Sequence, residues 1–302
     1  MRTGILSYIL GLVLLANASA AEGQTAAVLI GMTGRCEVAA VGAGAFSPAT
    51  AGMGLHAGDI LSVRDGTATV LRSDGRVETI EAGKRVQVEA AGRRDTSRGA
   101  LGRLWETLVN RASMAASGTR IYSDAGAVRA LKAQHIDLVS PRNTALLAAP
   151  TRIAWEVRPD VKTYHVRVHD GNGSVVWSST TTRAFAAIDA GSVAFEPGEW
   201  YFVRVGDVRR GGPASEEAYF RVLRPREQEL AREDAEAVKR SVGAAAGKQA
   251  EALAVGGIYE HWDLLEDALA TYHAAGEPPG PALAQAIEFA HVKNGRRWSD
   301  KQ

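Results

Sequence analysis

Short apolar runs bounded by glycine fill the chain between residues 26 and 92. In the run RVQVE, apolar and polar residues alternate, which is the two-residue period of a half-buried strand. Asp74-Gly75 separates TATVLRS from RVETIE, and these two residue types best tolerate the positive φ angles of a two-residue type I′ turn. The pattern predicts a β domain of short strands, with a hairpin at Asp74-Gly75.

The glycines of GLHAGDILSVRDGTATVLRSDGRVETI also follow a wider spacing. The order is G-x-x-x-G-D, then a small apolar strand, then G-x-A-x-x-x-x-x-D-G. With this motif, residues 26–92 resemble the FecR-type domain of bacterial envelope proteins. The resemblance implies a β-rich fold and a setting in the cell envelope, where the namesake domains relay signals from the periplasm.

Residues 93–136 are predicted to be a linker that contains one amphipathic helix. The run LGRLWETLVNR places Leu101, Leu104, Trp105 and Leu108 at helical spacing. Trp105 is expected to anchor this helix on a neighbouring domain. The alternative is a surface aromatic that contacts sugar or lipid.

Residues 137–223 return to a strand pattern, with several short alternating runs separated by turn sequences such as DGNG and EPGE. The pattern predicts an all-β sandwich. The order of runs resembles a fibronectin type III domain, in which Trp155 takes the place of the early core tryptophan and Tyr201 lies in the late Gly-x-x-Tyr strand. The resemblance implies a spacer or binding module.

Residues 224–302 have helical patterns, beginning at a proline that suits a first helical turn. Small and aromatic residues fall at the signature spacing of a tetratricopeptide repeat, which this segment resembles: Gly256, Tyr259, Ala268, Tyr272 and Ala275. Tyr259 and Tyr272 are expected to fill the groove between two helices. One repeat cannot bury its apolar face alone, so this unit is expected to pack on another part of the chain or on a partner.

The first 20 residues have the pattern of a secretory signal peptide: one arginine, an apolar run and a closing Ala-Ser-Ala. The apolar run, Ile5 to Leu15, is shorter than the ~20 residues of a spanning helix, so no stable transmembrane span is expected. The predicted location is the periplasm, with N-terminal anchoring or secretion as the alternatives. Cys36 is the single cysteine, which excludes an internal disulfide.

Composition and motifs argue against several classes of function. The net charge of +1 gives no electrostatic reason to expect nucleic acid as a partner. The sequence has no H-E-x-x-H, C-x-x-C, G-x-S-x-G or P-loop motif, so no catalytic, cofactor-binding or metal-binding residue is predicted. His165 and His169 share a strand face, but a rise of ~13 Å separates them, too far to bind one metal ion.

The sequence as a whole predicts a multidomain, β-rich protein with a helical C-terminal region and no enzymatic activity. The leading hypothesis is an exported periplasmic protein that acts as an interaction or scaffolding module in the cell envelope, with an envelope protein as partner and a role in signalling left open. The alternative is a protein that binds peptidoglycan or another glycan, through Trp105, Trp177 or Trp200. A hydrolase with a site split between domains is a third, weaker hypothesis. The binding candidates are Trp105, Trp177, Trp200, Tyr259 and Tyr272.

Overall fold

The computed structural model describes residues 24–90, 99–116, 135–209, 211–243 and 246–295. The predicted signal peptide lies outside these ranges. The described residues form a β-rich protein with several sheets and, in its C-terminal part, a group of packed helices.

Two four-stranded antiparallel sheets make up the N-terminal unit, in the orders β4-β1-β6-β7 and β3-β2-β5-β8. Their strands are β1 (Thr25–Thr33), β2 (Cys36–Ala39), β3 (Ser47–Pro48), β4 (Gly54–His56), β5 (Ile60–Val63), β6 (Thr67–Arg72), β7 (Val77–Glu81) and β8 (Arg85–Gln87). Leu29, Leu55 and Leu61 are buried in the core of this unit. The single cysteine, Cys36, is buried there too, and burial raises the pKa of its thiol.

The β6–β7 hairpin confirms the predicted strand pair but not the predicted turn type. The loop has three residues, Ser73-Asp74-Gly75, closed by the Arg72 amide donating to the Arg76 carbonyl at 2.8 Å. Only Gly75 has a positive φ, of 80°, whereas a type I′ turn requires two such residues. Asp74 instead accepts the Arg76 amide at 3.0 Å through its side chain.

The Gly58-Asp59 step of the glycine-spaced motif stabilises a turn. The buried Asp59 carboxylate accepts the His56 amide at 2.8 Å and the Val41 amide at 3.2 Å. Two loops are thereby fixed to one side chain. This carboxylate therefore stabilises the turn.

The second unit is a β-sandwich of a three-stranded sheet, β14-β11-β9, and a five-stranded sheet, β10-β16-β15-β12-β13. The strands are β9 (Leu138–Ser140), β10 (Thr144–Leu146), β11 (Arg152–Trp155), β12 (Tyr164–Asp170), β13 (Val175–Thr181), β14 (Phe185–Ala187), β15 (Trp200–Asp207) and β16 (Ala218–Val222). β10 runs parallel to β16 and the other pairs are antiparallel. Trp155 and Tyr164 lie in its core with ring centroids 5.1 Å apart.

Tyr201 at the start of β15 fixes the chain that enters this strand. Its hydroxyl accepts the Glu196 amide at 2.7 Å while its ring packs on Phe195 and Phe220. A tyrosine whose hydroxyl bonds to backbone a few residues upstream is a recurring corner device of β-sandwiches.

Five helices complete the described structure: α1 (Ala100–Ala116), α2 (Pro225–Val242), α3 (Lys248–His261), α4 (Leu265–Ala274) and α5 (Pro281–Lys293). Pro225 occupies the first turn of α2, as predicted, and Glu227 closes a capping box by accepting the Arg224 amide at 2.8 Å. No helix within the described residues is long and apolar enough to cross a membrane.

The helices do not form a separate tail. Val28 and Ile30 of β1 share one apolar core with α1 to α5, whereas Leu29 of the same strand faces the N-terminal β core. At Gly31 a methyl group would collide with Ala250 of α3, so sheet and helix are in direct contact. The expectation that the helical unit packs on another part of the chain is confirmed, and α1 packs in the same core, with Trp105 against it.

The sandwich is joined to the helices by a smaller apolar cluster and by hydrogen bonds. Ala145 and Leu223 pack with Ala231 and Leu264. The Ala145 amide donates to the Asp263 carbonyl at 2.8 Å. These contacts fix the sandwich to the turn between α3 and α4.

Candidate functional site

The outer face of the five-stranded sheet is the most distinctive exposed surface among the described residues. Alternation in β12 places Tyr164, Val166 and Val168 in the sandwich core and turns the residues between them outward. The same alternation in β15 turns Trp200, Phe202 and Arg204 outward. The face therefore has a basic part, on β12 and the end of β15, and an aromatic part, on β15 and β16.

The basic part centres on two arginines. Arg167 of β12 lies directly opposite Arg204 of β15 in the antiparallel register. His165 lies opposite Gly206 and His169 opposite Phe202, on the same face. Like charges directly opposite each other weaken a sheet by a few tenths of a kcal/mol up to ~1 kcal/mol. Within the part of the chain that the structure describes, neither guanidinium forms an ion pair, so no direct contact with a carboxylate offsets this cost.

These residues line an open groove of about 610 Å³. Three carboxylates border it, those of Asp170, Asp207 and Glu217. Asp207 is paired with Arg209, whose Nε lies 2.7 Å from it, and this guanidinium lowers the pKa of Asp207. Asp170 accepts two backbone amides in the β12–β13 turn, at 2.8 and 2.9 Å.

The histidines differ in their surroundings. Burial, together with the charge of Arg167, lowers the pKa of His165, so this ring is neutral at pH 7. The Nδ1 atom of His169 lies 3.2 Å from the Gly173 carbonyl oxygen, which holds the ring against the hairpin turn. The two arginines are therefore the permanently charged cations of the groove.

The aromatic part is formed by Trp200 and Tyr219, which are 44% and 39% exposed. Their rings meet edge to face, with centroids 5.3 Å apart. The Arg221 guanidinium carbon lies 5.5 Å from the centroid of the Trp200 ring, and Nη1 of Arg221 is 3.2 Å from both carboxylate oxygens of Glu227. The indole is thus exposed but held in one orientation.

The five residues that the sequence suggested for binding lie in different surroundings. Trp105 is half-buried against the helical core, and Trp177 is half-buried against the sandwich core. Tyr259 is half-buried between α2 and α4, where burial raises the pKa of its hydroxyl. Tyr272 is completely buried, and Trp200 is exposed. The structure brings none of the other four into contact with Trp200.

Tyr272 belongs to a buried polar group that ties α1 to α3 and α4. Its hydroxyl donates to Glu260 Oε1 at 2.7 Å and accepts from Arg111 Nη2 at 3.1 Å. Arg111 Nη2 also lies 2.9 Å from Glu260 Oε1. Burial and the Glu260 charge raise the pKa of Tyr272 well above its usual value, so it stays protonated. Burial would lower the pKa of Arg111, but Tyr272 and Glu260 raise it overall, and the ion pair persists. A residue held in this way packs the core and cannot reach a partner.

The sequence missed Arg167, Arg204 and Tyr219 as members of a site. The motifs YHVRVHD and WYFVRVGD do place an arginine on the solvent face of each strand. Their juxtaposition depends on strand order and register, which no motif here specifies. Within the described residues, no group of three His, Cys, Asp or Glu side chains could hold a metal ion.

The similarity of this chain to known proteins is confined to a weak structural match. No protein-family model matches the chain, and no curated protein matches it. The FecR-type assignment of residues 26–92 therefore remains a prediction. Among solved structures, the fibronectin(III)-like modules of CbhA from Clostridium thermocellum are similar, with 14% identity, 64% of this chain and 78% of that chain covered, and a TM-score of 0.22. A similarity of this size does not define the function of the chain.

Proposed function

We propose that this protein is an exported, non-enzymatic component of the bacterial cell envelope that acts as an interaction or scaffolding module. The observation that carries the proposal is the outer face of the five-stranded sheet, where exposed aromatic rings adjoin two opposed arginines without ion pairs among the described residues. Residues that break a local stability rule are expected at functional sites. A protein partner in the envelope is the leading candidate.

The finer domain assignments belong to this proposal. The paired four-stranded sheets with their buried Asp59 support a FecR-type unit, and the strand order with its Tyr201 corner supports a fibronectin type III-like unit. The α3–α4 hairpin, in which Tyr272 packs on Gly256, supports a tetratricopeptide-like unit. The predicted signal peptide supports export to the periplasm, where such a scaffold would work.

Site-specific photo-crosslinking tests the proposal. A photoreactive amino acid replaces Trp200 in the whole protein, and a matched variant carries it at Val41, which is 66% exposed on the N-terminal unit. The proposal expects a discrete crosslinked protein from position 200, absent from position 41, when the producing cells are irradiated. Equal crosslinking patterns from both positions would contradict it. The test uses single replacements and not a truncation. Deleting the chain after Pro225 would remove α2 to α5 and expose the core that they share with β1.

The second candidate function is binding of peptidoglycan or another glycan. The exposure of Trp200 favours it, because sugar rings pack on exposed aromatic faces, although Tyr219 and Arg221 take up part of the space around the indole. Co-sedimentation with purified cell-wall sacculi separates the two candidates. Retention on sacculi that Trp200→Ala abolishes, together with no protein crosslink at this position, would favour the glycan.

A further inference from the structure

The outer sheet face has a repeat along β15 that matches the repeat of an extended polypeptide. Trp200, Phe202 and Arg204 follow one another at two-residue intervals on one side of the strand, so their side chains are spaced by ~6.6 Å. A peptide in extended conformation that lies along β15 presents alternate side chains at the same spacing. Each of its inward side chains would then meet one of these three residues.

The charges of the face define what that peptide must carry. Arg167 and Arg204 lie side by side at the centre, and guanidinium groups bind carboxylates with strong, charge-assisted hydrogen bonds. The Asp207 carboxylate is engaged by Arg209, and that of Asp170 by two backbone amides. Glu217 is exposed at the rim of the groove and would repel an anion. A carboxylate between the two arginines relieves their mutual repulsion.

The aromatic part favours a peptide over a sugar chain. Arg221 already lies over the Trp200 ring, and the edge-on Tyr219 flanks it, so stacking area on the indole is limited. Phe202 is half-buried between the aromatic and basic parts and offers an apolar contact for one side chain. A peptide with one apolar and one acidic residue, two or four positions apart, can contact an aromatic ring and the two arginines at the same time.

We propose that the outer face of the five-stranded sheet binds an extended acidic segment of a partner protein, with a carboxylate between Arg167 and Arg204 and an apolar side chain on Phe202 or Trp200. This inference rests on the proposed function and specifies the partner of that same surface. An acidic glycan is the competing ligand in the test below.

The experiment measures binding of the purified protein to fluorescent peptides of about ten residues by anisotropy. The peptides alternate serine with other residues and place one phenylalanine and one glutamate two, three, four or five positions apart. Even separations put both side chains on one face of an extended chain and should bind; odd separations put them on opposite faces and should bind about tenfold more weakly. Glutamine versions of the peptides and an oligogalacturonate are the comparison ligands.

Three protein variants sharpen the result. Arg167→Gln combined with Arg204→Gln should weaken binding of the even-spaced acidic peptides by about tenfold or more. Arg152→Gln combined with Arg240→Gln removes the same charge elsewhere and should leave it unchanged, because Arg152 lies on the other sheet and Arg240 at the end of α2. Glu217→Gln should tighten binding about threefold by removing the repelling charge.

The outcomes separate this inference from the function on which it rests. No dependence on even or odd spacing, no loss in the Arg167/Arg204 variant, or tighter binding of the oligogalacturonate would overturn the acidic-peptide inference. If the crosslink at position 200 also persists in the Arg167/Arg204 variant, the interaction function stands and only the acidic segment is wrong. If that crosslink is missing from the unaltered protein, the proposed function itself fails.

Discussion

At the scale of single residues, small side chains decide how closely the elements of this protein approach each other. Gly256 of α3 lies against the completely buried ring of Tyr272, and a methyl group there would collide with ring carbons. The sequence indicated both positions, because a small residue and an aromatic recur at that spacing. It did not indicate that Arg111 of α1 would join Glu260 at the same ring, since this contact spans the chain.

Gly256→Ala is predicted to destabilise the protein by about 1–3 kcal/mol, the usual cost of overpacking a tight core. The added methyl group must displace the Tyr272 ring, which outweighs the gain in helix propensity. Urea unfolding measures the change. Gly44→Ala is the control, because no atom beyond its chain neighbours lies within 4 Å of a methyl group placed there, and it should change stability little.

Tyr272→Phe is predicted to cost about 1–3 kcal/mol of unfolding free energy, because the buried Glu260 and Arg111 lose a hydrogen-bond partner. Tyr219→Phe makes the same chemical change on the exposed sheet face and should have almost no effect on stability. Equal losses in both variants, measured by urea unfolding, would show that the buried polar group does not stabilise the fold.

At the scale of elements, the sequence predicts the boundaries of some elements better than those of others. Pro225 marks the start of α2 in the sequence and in the structure, where Glu227 adds a capping box. The β6–β7 hairpin was predicted at the right place, but its loop holds one residue more than a type I′ turn. Asp-Gly is compatible with both loops, and the pairing register, which depends on the sheet, chooses between them.

The capping box of α2 makes part of the stability depend on pH. Burial would raise the pKa of Glu227, but the Arg224 amide and the Arg221 guanidinium lower it below its ordinary 4.5 overall. Because the folded pKa is the lower one, this stabilisation is complete above the unfolded pKa and is lost as the pH falls through the folded value. Glu227→Gln should therefore be less stable than the unaltered protein at pH 7, and the difference should shrink below pH 4.5.

Urea unfolding of both proteins between pH 3 and pH 7 measures that difference. Glu229→Gln is a matched control on the same helix, since Glu229 is exposed and, among the described residues, forms an ion pair with Arg226 on the surface. A difference between Glu227→Gln and the unaltered protein that stays constant over this range would contradict the prediction.

At the scale of the whole molecule, the sequence predicted the kinds of unit but not how they are joined. Runs of short strands and a helical segment could be read from their periods. The sharing of one core by β1 and all five helices could not, because it depends on contacts such as Gly31 with Ala250 that link the two ends of the chain. The sequence also did not predict that Arg167 and Arg204 lie opposite each other, because this depends on strand order and register.

Ile30→Ala is predicted to destabilise the protein by about 2–4 kcal/mol and to lower amide hydrogen-exchange protection in α3 as well as in β1. Ile153→Ala removes an equally buried isoleucine from the sandwich core, and its losses should be confined mainly to β11, β12 and β15. If Ile30→Ala leaves α3 protected, the β unit and the helices do not unfold together.

The double-sided burial of β1 has a consequence for how the protein is made. Its residues leave the ribosome among the first of the described chain, whereas α3, which packs on Gly31, follows only after the whole sandwich. Until then, the apolar face of the uncharged run AAVLI is only partly covered, and unfolded copies can associate through it. Variants that weaken the packing of α3 on β1 are therefore expected to lower the yield of native chains through aggregation during folding.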